Sequence, residues 1–202
     1  LYDGIIHEDT FTLVLEYVSH LNFRDYYRSM EKDSIKAYMR GLFTALAGMH
    51  ELGIIHRDVK PQNCLFNPST GKMTLCDFGL AENESDKLFM QQNIGTRGFR
   101  APEMLVGKCY NRAVDIWSVG VILLCILSGR YPFFKATDRA MSLCEIFTIF
   151  GIGKFGEEEI LKYSSKSLIQ TPQVTDWKSL KEMCHKLSKW NHTFFVGDRY
   201  DE

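Results

Sequence analysis

Residues 11–18, FTLVLEYV, form the first clear apolar run, with β-branched and aromatic side chains set between polar HEDT and polar SHLN. That pattern predicts a buried strand that leaves into a connector. In DSIKAYMRGLFTALAGMHELG the period changes. Ile35, Tyr38, Met39, Leu42, Ala45, Leu46 and Met49 recur at steps of three and four, which makes one apolar helical face. Asp33 or Ser34 would cap its start, and Gly53 would end it. Two short apolar stretches, in GIIHRDVKPQNCLF and MTLCDFGLA, then flank the polar turn NPSTGK and predict a hairpin-like unit with charged edges. Residues 115–128 are nearly all apolar and predict a helix buried on every side, with Trp117 in the core. A looser helix is expected near residues 141–150, followed by polar segments that end in GDRYDE. No internal repeat, low-complexity tract or interdomain linker breaks this order.

Composition narrows the classes further. With 202 residues, 45% hydrophobic and 24% charged, the chain suits one large domain or part of a bigger one, and disorder is not expected. A formal net charge of -1 leaves no bulk basic field for nucleic acid. The six cysteines include no C-x-x-C pair and stand apart from any clustered histidine. They read as reduced, mostly buried thiols of an intracellular protein rather than zinc ligands. The longest apolar run, residues 119–127, is far short of the ~20 residues that span a bilayer, so no membrane partner is expected. No secretory signal opens the chain, and a start at Leu1 without Met reads as cut.

The chemistry concentrates in HRDVKPQN, residues 56–63, which fits the pattern H-R-D-x-x-x-x-N. DFG follows at 77–79, APE at 101–103 and DIWSVG at 115–120. Each word alone is weak, but four in this order and spacing are not a coincidence. Together they resemble the eukaryotic protein kinase family over nearly the whole chain. The resemblance implies an α+β, protein kinase-like fold: residues 1–18 a remnant of the small lobe with the hinge, residues 19–202 the α-helical large lobe. It also implies ATP and magnesium as cofactors and phosphorylation of Ser or Thr in proteins.

The roles then follow from what phosphoryl transfer needs. Asp58 would accept the proton of the substrate hydroxyl. Asn63 and Asp77 are hard oxygen donors suited to magnesium. Lys60 would lie against the γ-phosphate, and by resemblance it selects the Ser/Thr branch. Thr96 in GTRGF supports that choice, because its hydroxyl bonds both Asp58 and Lys60 in related enzymes. The resemblance makes Leu15 the gate of the back pocket, Glu16 and Val18 the backbone partners of adenine, and Leu65 the floor beneath the ring. His56 and Phe78 are expected to pack in an internal hydrophobic spine. Asp115 is expected to be a buried acceptor for the catalytic-loop backbone rather than a second base.

LSGRYPFFKATD, GTRGFRAPE and EIFTIFG resemble more narrowly the cell-division-cycle 7-type (Dbf-dependent) kinase catalytic subunit. That likeness implies a nuclear kinase of DNA replication, a Dbf-type regulatory subunit and the replicative helicase as substrate. The alternatives are a casein-kinase-like relative and a pseudokinase scaffold. GIGKFG, residues 151–156, imitates a phosphate lid, but it follows the catalytic loop and runs into Glu157, Glu158 and Glu159, so it reads as a decoy. The activation segment between Asp77 and Glu103 is short and holds Ser85 among the acids Glu82, Glu84 and Asp86. Those acids, or a partner, are expected to hold it in place of a phosphothreonine bound to Arg57. Arg97 and Arg100, with Lys108 and Arg112, suggest acidic or prephosphorylated target sites. No glycine-rich loop, strand lysine or helix-C glutamate precedes Leu1, and Glu103 lacks its usual arginine, for which Arg199 is a poor match. The 202 residues alone are therefore not expected to be catalytically competent.

Overall fold

The computed structural model describes residues 1–84 and 94–150. Ser85, Asp86, the GIGKFG segment with its glutamates, and Arg199 lie outside the described residues. The order is β1 (Asp3–His7), β2 (Thr10–Val14), α1 (Phe23–Tyr26), α2 (Lys32–Glu51), β3 (Ile54–Ile55), a 3-10 turn (Pro61–Asn63), β4 (Cys64–Asn67), β5 (Lys72–Leu75), β6 (Glu82–Asn83), α3 (Pro102–Val106), α4 (Ala113–Ser128) and α5 (Arg139–Phe150). Three antiparallel two-stranded pairs, β1–β2, β3–β6 and β4–β5, frame a helical body.

The amphipathic helix forms where its period requires. Ile35, Tyr38, Leu42 and Leu46 of α2 are buried, with Met39, Ala45 and Met49 packed around them. Its cap differs from the sequence expectation. The helix starts earlier, so the half-in residue is Glu31, whose carbonyl accepts the Ile35 amide at 2.9 Å. Asp33 then falls inside the first turn, where its charge suits the positive end of the helix dipole. Gly53 does mark the stop, with a left-handed φ of 70°. Gly41 lets α2 lie directly on β5, since a Cβ there would stand 2.4 Å from Met73 Cβ.

The β4–β5 hairpin is the unit the NPSTGK turn predicts, with Asn67 Oδ1 accepting the Ser69 amide at 3.0 Å and the Asn67 carbonyl accepting the Gly71 amide at 2.8 Å. Phe66 points from it into an aromatic cluster with Tyr26 and Tyr38, and Phe23 joins through both tyrosines. Helix α4 carries Val114, Val119, Ile122, Cys125 and Ile126 into the core, but it is not buried on every side. Ile116 is 45% exposed, and Trp117 is half-buried with its ring edge-on to Phe150 at 5.6 Å. Among the described residues, packed neighbours cover one broad side of α4 and leave Ala113, Ile116 and Gly120 exposed.

The first apolar run is also corrected. Its strand, β2, stops at Val14, and every residue of β1 and β2 is exposed. The two strands pair with each other around Glu8, whose φ is 51°, and no neighbour among the described residues covers either face.

Candidate active site

The loop between β3 and β4 holds the candidate residues Asp58, Lys60 and Asn63, and helix α4 anchors it. The Asp115 carboxylate, fully buried, accepts the His56 amide at Oδ2 and the Arg57 amide at Oδ1, both at 2.9 Å. His50 Nε2 lies 2.8 Å from Asp115 Oδ2. This is the structural acceptor that the sequence implied for Asp115. Its consequence is a pinned backbone: Arg57 sits at φ 63°, a left-handed conformation costly for a residue with a Cβ.

From that anchor, Asp58 faces outward at only 7% exposure. Its Oδ1 accepts the Thr96 hydroxyl at 2.6 Å and the Thr96 amide at 2.7 Å, and its Oδ2 accepts Lys60 Nζ at 2.6 Å. Lys60 Nζ also donates to Thr96 Oγ1 at 3.0 Å. Asn63 Nδ2 donates to the Asp58 carbonyl at 2.9 Å and lies 3.4 Å from Asp58 Oδ2. Burial would lift the Asp58 pKa, but the Lys60 and Thr96 hydrogen bonds and the Lys60 charge outweigh it and hold the carboxyl below its usual range. Asp58, Lys60, Asn63 and Thr96 are thus one bonded cluster.

Thr96 arrives there because Gly95 does. Gly95 has φ 80°, and a Cβ on it would stand 2.4 Å from the Arg57 carbonyl oxygen. Only glycine allows the later segment to touch the catalytic loop so closely.

Asp77 is placed one residue beyond a backbone tie, the Cys76 amide donating to the Asn63 carbonyl at 2.9 Å. It is exposed, at φ 63°, with Oδ1 accepting only the Gly79 amide at 3.3 Å among the described residues. No hydrogen bond or ion pair there joins it to the Asp58 cluster, although the neighbouring Cys76 thiol, raised by burial, feels both the Asp77 and the Lys60 charges. The amide oxygen of buried Asn63 and the exposed Asp77 carboxylate are hard donors near the adjoining ends of β4 and β5, a set that fits a divalent cation carrying phosphate oxygens.

The nucleotide-side residues stand less closely grouped. Leu15 and Glu16 lie in the connector after β2, Leu15 at 62% exposure and Glu16 in an exposed pair with Lys72 at 3.7 Å. Val18 is half-buried, and its carbonyl lies 2.9 Å from His20 Nδ1. Leu65 sits half-buried on β4. His56 is fully buried, with Nε2 3.1 Å from the Cys76 carbonyl. Phe78 contacts its ring at 5.4 Å but remains 52% exposed, so only half of the expected spine packing is present. The DFG turn holds the phenyl ring at the surface among the described residues.

Sequence reasoning missed three contributors: His50, Tyr110 and Arg139. His50 is one polar residue at the end of an amphipathic helix, and nothing in the pattern marks it as Asp115's partner. Tyr110 Oη accepts Arg57 Nη1 at 3.4 Å, a contact made across 53 residues of chain. Arg139, rather than Lys108 or Arg112, joins Arg97 and Arg100 around a cavity of about 430 Å³ beside Thr96, with Asp138 as its one carboxylate. Arg112 is occupied elsewhere, by Glu84.

The family model for the protein kinase domain matches residues 1–194. The chain belongs to the protein kinase domain family and has its kinase-like α+β fold, a family that uses ATP and a divalent metal. Within it, the chain is 37% identical over 194 residues to the cell cycle protein kinase spo4 of Schizosaccharomyces pombe, covering 73% of this chain and 45% of that one. It is 36% identical over 183 residues to the probable cell division control protein 7 homolog 2 of Encephalitozoon cuniculi, covering 71% and 52%. It is 32% identical over 195 residues to casein kinase II subunit alpha' of Saccharomyces cerevisiae, covering 95% and 55%. The chain therefore spans about half the length of the curated relatives it matches.

Proposed function

We propose that the protein is a serine/threonine protein kinase of the cell-division-cycle 7 type. The observation that carries the activity is the bonded cluster of Asp58, Lys60, Asn63 and Thr96, a carboxylate kept ionised beside a lysine and a hydroxyl. In this reading an Asp58 oxygen accepts the proton of a Ser or Thr hydroxyl as that oxygen bonds phosphorus and the bond to the leaving ADP oxygen breaks. Thr96 and Asn63 fix the carboxylate, so no reorientation is needed during transfer. Lys60 balances charge on the moving phosphoryl group. ATP supplies that group, and magnesium held by Asn63 and Asp77 would neutralise the phosphate oxygens. Leu15, the Glu16 and Val18 backbone and Leu65 would border adenine. Residues 1–18 belong in this reading to the small lobe and residues 19–202 to the large one.

The finer reading rests on similarity. Relatives named as cell-cycle and cell-division-control kinases support a cell-cycle kinase. The likeness of LSGRYPFFKATD, GTRGFRAPE and EIFTIFG to the Dbf-dependent kinases extends this reading to nuclear residence, DNA replication, a Dbf-type regulatory subunit and the replicative helicase as substrate. The cavity walled by Arg97, Arg100 and Arg139 favours acceptor sites flanked by acidic or phosphorylated residues. The casein kinase II likeness, which spans 95% of the chain, supports a casein-kinase-like enzyme as the second reading.

The test is transfer of labelled phosphate from ATP to serine and threonine peptides by the full-length protein, with and without a Dbf-type subunit. Activity should fall by roughly 10²–10⁴-fold in Asp58→Asn while the variant keeps the circular dichroism of the folded wild type at the assay temperature. Activity unchanged in that variant would overturn the kinase reading. Full activity without any second subunit would favour the casein-kinase-like alternative.

A further inference from the structure

Two glutamates of the short activation segment are already bound to Arg57 of the loop after β3 and to Arg112, the residue that precedes α4. The segment's first strand, β6, pairs with β3 immediately before His56, with Ile55 opposite Glu82 and Ile54 opposite Asn83. The Glu84 amide closes the pairing on the Gly53 carbonyl at 2.5 Å. Glu82 Oε2 reaches Arg57 Nη2 at 3.5 Å, while Arg57 Nε donates to the Leu80 carbonyl at 2.7 Å. Glu84 Oε1 accepts the Arg112 amide at 3.1 Å, and its other oxygen pairs with the Arg112 guanidinium. Arg112 Nη1 in turn donates to the His50 carbonyl at 2.9 Å, and His50 holds Asp115.

These contacts form a closed circuit. Glu82 and Glu84, two apart on one strand, engage Arg57 and Arg112. Both arginines lead back to the Asp115–His50 anchor, one through its backbone amide and the other through the His50 carbonyl. Glu84 is the better sheltered of the two carboxylates, at 18% side-chain exposure against 44% for Glu82. Its carboxyl is held below the usual range first by the Arg112 hydrogen bond, so it stays charged at neutral pH. A phosphate on an activation segment does its work by presenting negative oxygens to arginines. Here two carboxylates supply that charge from within the chain.

We propose that Glu82 and Glu84 are positioning residues that replace activation-segment phosphorylation, so that this kinase is ordered for catalysis without a modifying enzyme. The inference rests on the kinase reading above and adds its mode of control. It predicts that the substrate-side geometry at Asp58 and Thr96 depends on the Glu84–Arg112 pair, although neither residue touches ATP or substrate.

The experiment uses the full-length protein with its regulatory subunit. Treatment with a broad-specificity protein phosphatase should leave wild-type activity within about twofold, and Ser85→Ala should match wild type. Glu84→Arg should lower kcat by roughly 10- to 100-fold with KM for ATP little changed, because the loss is one of placement rather than nucleotide contact. Glu82→Gln should act in the same direction. The reciprocal double variant, Glu84→Arg with Arg112→Glu, should recover most of the lost kcat by restoring the pair in reverse. That recovery is something a mere folding defect would not give. Loss of wild-type activity on phosphatase treatment, full kcat in Glu84→Arg, or failure of the double variant to recover would each overturn the proposal. A wild-type protein that transfers no phosphate at all would instead sink the kinase reading, which keeps the two failures distinct.

Discussion

At the scale of single residues, the site is a competition between burial and hydrogen bonding, and hydrogen bonding wins at Asp58. The same holds at Glu84, where Arg112 provides the bonds. Both carboxyls are depressed in the folded state, so their contribution to stability is complete above the unfolded carboxylate pKa, about 4, and is lost as pH falls through the lower folded values. The cysteines set the opposite limb. Burial pushes the Cys64 and Cys125 thiols up to about 12, so their contribution is complete below the unfolded thiol pKa, about 8.5, and is lost as pH rises beyond it. From these four groups, stability read as the denaturant midpoint should decline below about pH 4 and above about pH 8.5, with Glu103, raised by burial, opposing the acid limb. Asp58→Asn should shallow the acid limb alone. The grouping at this scale was legible because Asp58, Lys60 and Asn63 sit within one short word, where local chain geometry leaves few arrangements. The partners from elsewhere were not. His50, Tyr110 and Arg139 reach the site only through tertiary packing, which periodicity does not encode.

At the scale of elements, two glycines of α2 make opposite predictions from the same residue type. A helix-interior glycine replaced by alanine gains about 1 kcal/mol of intrinsic propensity. Gly48 has nothing within 4 Å of a new Cβ, so Gly48→Ala should stabilise the protein by roughly 0.5–1 kcal/mol. At Gly41 the new methyl would stand 2.4 Å from Met73 Cβ, and β5 would have to move. There overpacking outweighs propensity, and Gly41→Ala should destabilise by roughly 1–3 kcal/mol in chemical unfolding. Helix α2 was legible from its strong period and the β4–β5 hairpin from its turn, while α5 was legible only in outline. Those that failed, failed for one reason: the pattern records which residues are apolar, not which of them find a neighbour. The outer side of α4 and the apolar residues of β1–β2 are left uncovered by the described residues.

At the scale of the whole molecule, the described residues divide into a helical body and a hairpin that packs on itself. The family was readable from four spaced words, and three of them, HRDVKPQN, DFG and DIWSVG, meet at one loop. His56 and Arg57 hang from Asp115, Asp77 adjoins Asn63 through Cys76, and Thr96 is brought in over Gly95. The hanging of that loop on α4 has a practical corollary. A segment suspended from the most deeply seated helix cannot melt privately; it must wait for its support to give way. Catalytic output should then serve as a built-in thermometer for the body, its heat-inactivation curve overlaying the loss of helical circular dichroism. Amide exchange in β1–β2 should by contrast quicken well below that temperature.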